Sequence, residues 1–256
     1  IRLRLRLSFF DSTMQTTKSL LACFAALLVL PVAAQIMDTK QTGTYRRVKA
    51  HLDAIPAIDT HDHLRPFETL RGQVKTDRGF GMTLHSLWQS SYYTWYNPLT
   101  PWPPSGNFDD WWSLAKNDFI NARATGFYRY QLPAFQDLYG VDFDALTDEQ
   151  ARALNDRIFN NHQDPRWLYQ VITERANIEL MFIDPYWARF SFTNAYPFGV
   201  LVLNVTTLIG GTQPAAFPPN EPLTRFASDE GLKIDTLDDY VALIERLLQR
   251  GKAAGG

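Results

Sequence analysis

The chain has 256 residues, 45% of them hydrophobic and 20% charged, with a formal net charge of −2. These are globular values, and with no basic block beyond the first few residues they argue against a nucleic-acid-binding protein. Seven Trp, seventeen Phe and eleven Tyr argue equally against a disordered chain, because that much aromatic surface can drive a sizeable core.

Residues 1–13 open with alternating Arg and Leu and carry no Met, and read as a non-native upstream leader. From Met14 the pattern is that of a signal peptide over 14–34: Lys18 as a small positive region, a near-continuous apolar run from Leu20 to Leu30, Pro31 as a breaker, and Val32, Ala33 and Ala34 as a small-residue cleavage site. The run is short for a bilayer span, which needs about 20 residues, so no stable membrane insertion is expected after cleavage and the product is exported, to a periplasm or the medium. Cys23 is the only cysteine. It loosely resembles a lipoprotein cleavage box, but the apolar run continues past it, which fits an ordinary signal-peptide residue. A mature domain of residues 35–256 would contain no thiol, so any metal must be held by His and carboxylates.

A helix is predicted over 44–54, with Tyr45, Val48 and Leu52 on one face and Pro56 stopping it. A strand from Ala57 then runs into His61, Asp62 and His63. The stretch 79–107 is aromatic and broken by Pro98, Pro101, Pro103 and Pro104, and reads as a lid, an insertion or an irregular packed excursion whose aromatics pack onto the barrel rim or line a substrate. A helix over 108–124 follows, with Trp112, Ala115, Phe119 and Ala122 on one face. Thr147 and Gln150 form a capping box, and Asp164 with Pro165 marks another helix start. Ile178–Ile183 reads as a buried strand ending at Asp184 and Pro185, and 200–205 as a further strand. Asp235 and Thr236 cap an amphipathic helix with Leu237, Tyr240, Val241, Ile244, Leu247 and Leu248 on its apolar face and Gly251 at its C-cap. Strands alternating with helices imply parallel pairing. The expected fold class is α/β: a partial (β/α)8 TIM-type barrel, its first three or so strands, with a long helical and aromatic insertion after strand 1. A closed barrel needs eight strands and about 250 residues, so a truncated barrel domain is expected, with a small open sheet as the alternative.

The chemistry concentrates in Ile58-Asp59-Thr60-His61-Asp62-His63-Leu64. Two imidazoles at i and i+2 on a strand point to one side, and at the C-terminal end of a parallel barrel strand they enter the active-site mouth. Their neutral nitrogens can bind one divalent ion. Asp59 could orient a ligand His or bond backbone, Arg65 could bind a substrate carboxylate or pair at the surface, and Asp184 stands at the functional end of its strand or forms a turn with Pro185. Asp62 points the other way along the strand and reads as structural. His51 lies in the first helix, while His85 and His162 follow no predicted strand.

The run Asp59-Thr60-His61-Asp62-His63-Leu64 resembles the His-x-His of strand 1 in the amidohydrolase superfamily. About ten residues carry that match, and the order of elements extends it over 45–256. The long excursion, with Ala122-Arg123-Ala124-Thr125-Gly126 and Tyr139-Gly140-Val141, is similar to the amidohydrolase-related branch that includes uronate isomerase. The resemblance implies a metal-dependent hydrolase acting on a C–N or C–O bond of a small-molecule substrate, with Zn²⁺ as the default metal and His61 and His63 as ligands. In that family the other ligands are a Lys or Glu near strand 4 and a His on each of strands 5 and 6, and a strand 8 Asp serves as general base. All would lie beyond this chain, which is then expected to be inactive alone. Alternatives are a sugar-acid isomerase on the same scaffold, a phosphoesterase of the polymerase-and-histidinol-phosphatase type, and an exported carbohydrate-binding module without catalysis.

Overall fold

The computed structural model describes residues 39–210 and 222–255; the expected leader, signal peptide and Cys23 lie outside the described residues. Contacts divide the chain into two units, Ile1–Ala54 and Ile55–Gly256. In the first, helix α1 (Gly43–Asp53) starts where Thr42 accepts a hydrogen bond from the Tyr45 N–H, which satisfies one of the helix's free donors. None of its residues is buried, including Tyr45, Val48 and Leu52.

The second unit is mixed α/β. Strand β1 (Ala57–Asp62) is followed by an antiparallel hairpin, β2 (Val74–Thr76) and β3 (Gly79–Gly81). A helical layer comes next: α2 (Leu84–Gln89), α3 (Phe108–Ala122), α4 (Gly126–Arg129), α5 (Leu132–Tyr139), α6 (Asp148–Asn161) and α7 (Arg166–Tyr169), the last continuing as a π-helical turn over Gln170–Arg175. Strand β4 (Ile178–Ile183) then pairs in parallel with β1, and β5 (Gly199–Leu201) pairs in parallel with β4, giving the order β1-β4-β5. Helices α8 (Pro222–Asp229) and α9 (Leu237–Ala253) follow.

Local chemistry sets the boundaries. Asn107 accepts from the N–H groups of Asp109 and Asp110 at the start of α3, and those two acids complement the helix dipole. Trp112, Ala115, Phe119 and Ala122 are buried as their spacing predicts, and Trp111 is buried with them. At α6 the Thr147 hydroxyl accepts from the Gln150 N–H while the Gln150 side chain accepts from the Thr147 N–H. Thr147→Ala is expected to lower stability by about 1 kcal/mol, read as a lower midpoint in urea with an unchanged slope.

The stretch 79–107 is an insertion whose aromatics pack, as one of the expected readings had it, and it is more regular than a loop. It holds β3, α2 and a 3-10 turn over Tyr92–Trp95. Thr83 caps α2 through a reciprocal pair with Ser86, a short-range signal hidden among the prolines that follow. Trp88 and Tyr93 are buried in the aromatic core with Phe119, Tyr128, Phe135 and Phe143. Gly106 has a φ of +72°, and a Cβ there would come within 2.9 Å of the Lys75 carbonyl oxygen, so only glycine fits this close approach.

Two further expectations change. The strand predicted over 200–205 ends at Leu201. Its neighbour β4 stops at Ile183, just before Asp184 and Pro185; the Val202 N–H makes the last bond to the Ile183 carbonyl, and the ladder has no further partner. Helix α9 runs through Gly251 to Ala253, and Gly251 is buried beside Leu203 and Phe192 instead of capping the helix. The buried face of α9 is Tyr240, Leu243, Leu247 and Gly251, whereas Leu237, Val241 and Leu248 are exposed. The apolar arc of this helix is wider than the part its described neighbours cover.

Candidate functional site

The pairing of β1 with β4 is regular from Ile58 to Asp59, and then β1 advances three residues, Asp59 to Asp62, while β4 advances two, Met181 to Ile183. The extra residue is a bulge at Thr60 and His61. Bulges bend a strand and re-aim its side chains, often beside a functional site. Here the two rings that follow meet edge to face: the His61 and His63 centroids are 4.7 Å apart with an interplanar angle of 83°. His61 is exposed and His63 half-buried.

His63 is held in one orientation. Its Nδ1 lies 2.9 Å from the Asp184 carbonyl oxygen, just past the end of β4. A carbonyl can only accept, so Nδ1 carries the proton, and in the neutral ring Nε2 presents its lone pair away from that bond. Tyr186 packs edge-on against His63 at 4.8 Å, and its hydroxyl accepts a 2.7 Å bond from Arg71. The Asp184 backbone N–H donates to the Asp62 carbonyl, which ties the two strand ends together.

The acids have distinct roles. Asp59 accepts from the His61 backbone N–H at 3.0 Å, so it fixes the main chain and not an imidazole. Burial first, and the neighbouring Asp59 charge second, push the Asp62 carboxyl above its ordinary range. Asp184 is buried; its Oδ2 accepts from Asn204 at 3.0 Å, while Oδ1 has no hydrogen-bond partner in the protein. A buried carboxylate oxygen left this way calls for a donor or a cation. Among the described residues, no third His, Cys, Asp or Glu joins the two imidazoles in a metal-holding group. The donor set therefore fits one side of a divalent-ion site, with two nitrogens from one strand end. Asn204, Tyr186 and Arg71 were absent from the sequence reading. Their one visible signal is position, since Asn204 and Tyr186 follow strand ends as His63 does.

The other histidines stand apart. His51 is exposed on α1. His162 ends α6 and donates through Nδ1 to the Ile158 carbonyl, which is a capping role. His85 is buried between Trp102 and Trp111, with no partner for either ring nitrogen in the protein. Burial lowers its pKa from 6.5 to about 4. The folded state then resists a proton that the unfolded chain accepts below pH 6.5, so stability is full above that value and falls until about pH 4. The loss is expected to reach roughly 3 kcal/mol. His85→Leu should flatten this part of the profile, measured as urea midpoints at pH 7.5 and 4.5.

A cavity of about 450 Å³ lies between the β2–β3 hairpin and α6, away from the histidine pair. Its two arginines are already matched: Arg78 with Asp156 at 3.0 Å and Arg152 with Asp109 at 2.7 Å. Nothing in it demands a ligand charge. No family model and no curated protein matches the chain.

Proposed function

We propose that this chain supplies the two-imidazole side of a Zn²⁺ centre in an exported, metal-dependent hydrolase of the amidohydrolase type, acting on a C–N or C–O bond. The observation that carries the reading is the edge-to-face His61–His63 pair, with the His63 tautomer set by the Asp184 carbonyl. His61 and His63 would hold the ion, which when bound makes water acidic and polarises the scissile bond. The chain's own residues orient: the i, i+2 spacing at the strand end puts both rings on one side, the Asp184 carbonyl locks His63, and Asn204 holds the Asp184 carboxylate. The partial barrel is likewise proposed. Support comes from three parallel strands with the histidines at their carboxyl ends and from Ile58 on edge strand β1, which is 57% exposed and would be covered by further strands.

A second reading, isomerisation of a sugar acid on the same scaffold, is favoured by the two guanidiniums near His63, those of Arg65 and Arg71. A non-catalytic carbohydrate binder would instead use the exposed rings of Trp95 and Tyr96 and need no metal. The deciding experiment strips the full-length protein with a chelator and restores Zn²⁺. Ester, lactone or amide hydrolysis should vanish and return. Metal-dependent conversion of a uronate without hydrolysis would favour the isomerase, and retained sugar binding with no metal uptake would favour the binder.

A further inference from the structure

A cavity of about 270 Å³ opens beside the carboxyl ends of the three parallel strands. That is the end of an α/β sheet where ligands characteristically bind, and the size suits a ligand no larger than a substituted ring. Its walls are mainly apolar, with Leu64, Ile183, Trp187 and Leu201 among them, and among the described residues that line it Arg65 alone is charged.

Arg65 is a cation without a carboxylate. It takes part in none of the ion pairs of the described residues. Its guanidinium lies 4.8 Å over the Trp187 ring, and its Nε is buried with no acceptor in the protein. Stacking fixes the plane of the fork but leaves its donors unused. The main chain beneath is also fixed, because the Tyr196 hydroxyl donates to the Arg65 carbonyl at 2.8 Å. Burial first, and the Glu68 charge second, push the Tyr196 phenol up to about 12. Glu68 is exposed and lies outside the lining.

A chain of ring contacts links one wall of the cavity to the histidine pair. Trp187 meets Tyr186 at 5.4 Å between centroids, and Tyr186 meets His63 at 4.8 Å. Leu64 and Arg65 follow His63 directly in the chain.

We propose that this cavity binds a small monocarboxylate with an apolar or aromatic body, its carboxylate on the Arg65 guanidinium and its body against Trp187 and the strand ends. This deepens the hydrolase reading by naming its substrate class. It relies on that reading only for which bond is cleaved, since binding of the acid needs no metal. A polyhydroxylated acid fits less well: of the polar side chains in the lining, Thr69, Asn194 and Tyr196 already donate to the carbonyls of Pro66, Gly199 and Arg65, which leaves Ser191 and Thr193 for its hydroxyls.

The test is calorimetric titration of the full-length protein with phenylacetate, phenylacetamide and gluconate. Phenylacetate should bind saturably, and the neutral amide and gluconate at least about tenfold more weakly. Arg65→Gln should weaken phenylacetate by about tenfold or more while Arg65→Lys retains part of the affinity, with thermal melts confirming that both variants fold. Chelator-treated and Zn²⁺-restored protein should bind phenylacetate with the same affinity, so loss of the metal site and loss of the acid site are separately visible. Absence of saturable phenylacetate binding, equal binding of the amide or gluconate, or full affinity in Arg65→Gln would overturn the proposal.

Discussion

Replacing Trp88 by Ala is expected to cost about 4 kcal/mol, at the level of large-to-small aromatic changes in well-packed cores. Trp88 is 1% exposed and touches Tyr93, Phe119, Tyr128, Phe135 and Phe143 at centroid distances between 4.9 and 5.5 Å. Removing the indole opens a void among rings that come from five different segments, and none can close it without leaving its own partners. A loss of that size is a large share of a domain's total stability of about 5–15 kcal/mol. Trp88→Phe separates the packing role from the polar one. The indole Nε1 is buried without a partner in the protein, so Phe keeps most of the ring contact and discards an unsatisfied donor. Its cost should stay near 1 kcal/mol. Chemical denaturation of both variants checks this; similar losses for Phe and Ala would show that the indole nitrogen, not ring packing, supplies the stability.

His63→Ala is expected to weaken Zn²⁺ binding by at least about a hundredfold, which is roughly 2.7 kcal/mol. Changes to groups that only orient a ligand already cost about 10–100-fold, and here both the ligand and its oriented geometry go. Asn204→Ala tests the outer support. It frees the Asp184 carboxylate while leaving the Asp184 carbonyl bonded to His63, so its effect should fall between that of His63→Ala and none. Competition against a fluorescent zinc chelator reads all three proteins on one scale.

Much of this architecture was legible in the residues. The strand Ile178–Ile183 is a continuous apolar run bounded by Asp184 and Pro185, and its observed limits are the predicted ones. The capping boxes at Thr147 and Thr236 mark helix starts because the reciprocal bonds they make are local. The aromatic packing of 79–107 was expected, but its regular elements were not, because proline density dominates a local reading and the burial of Trp88 and Tyr93 depends on helices that come later in the chain. Strand β5 was overextended for a related reason. Val200 to Val205 has strand composition, but pairing stops where β4 stops, and that limit is set by Pro185 in another segment.

The site was legible in part. His61 and His63 are identifiable by spacing alone. That spacing also implies a shared side, whereas the register shift beside them is a property of two paired strands that no single strand's sequence declares. The Asp184 contact is likewise nonlocal, 121 residues from His63, and it uses the backbone carbonyl, so side-chain chemistry could not announce it. Arg65 could be weighed as an anion binder from sequence, but its lack of a carboxylate partner becomes visible only when the neighbouring walls are known to be apolar.

Anomalous diffraction at the zinc edge, from crystals of the full-length protein grown with Zn²⁺, tests the metal site most directly. The expected result is a peak about 2.0–2.1 Å from one nitrogen of each of His61 and His63, with His63 Nδ1 still on the Asp184 carbonyl. Zinc found only at other residues, or a peak bound through one imidazole with the second ring turned away, would contradict it.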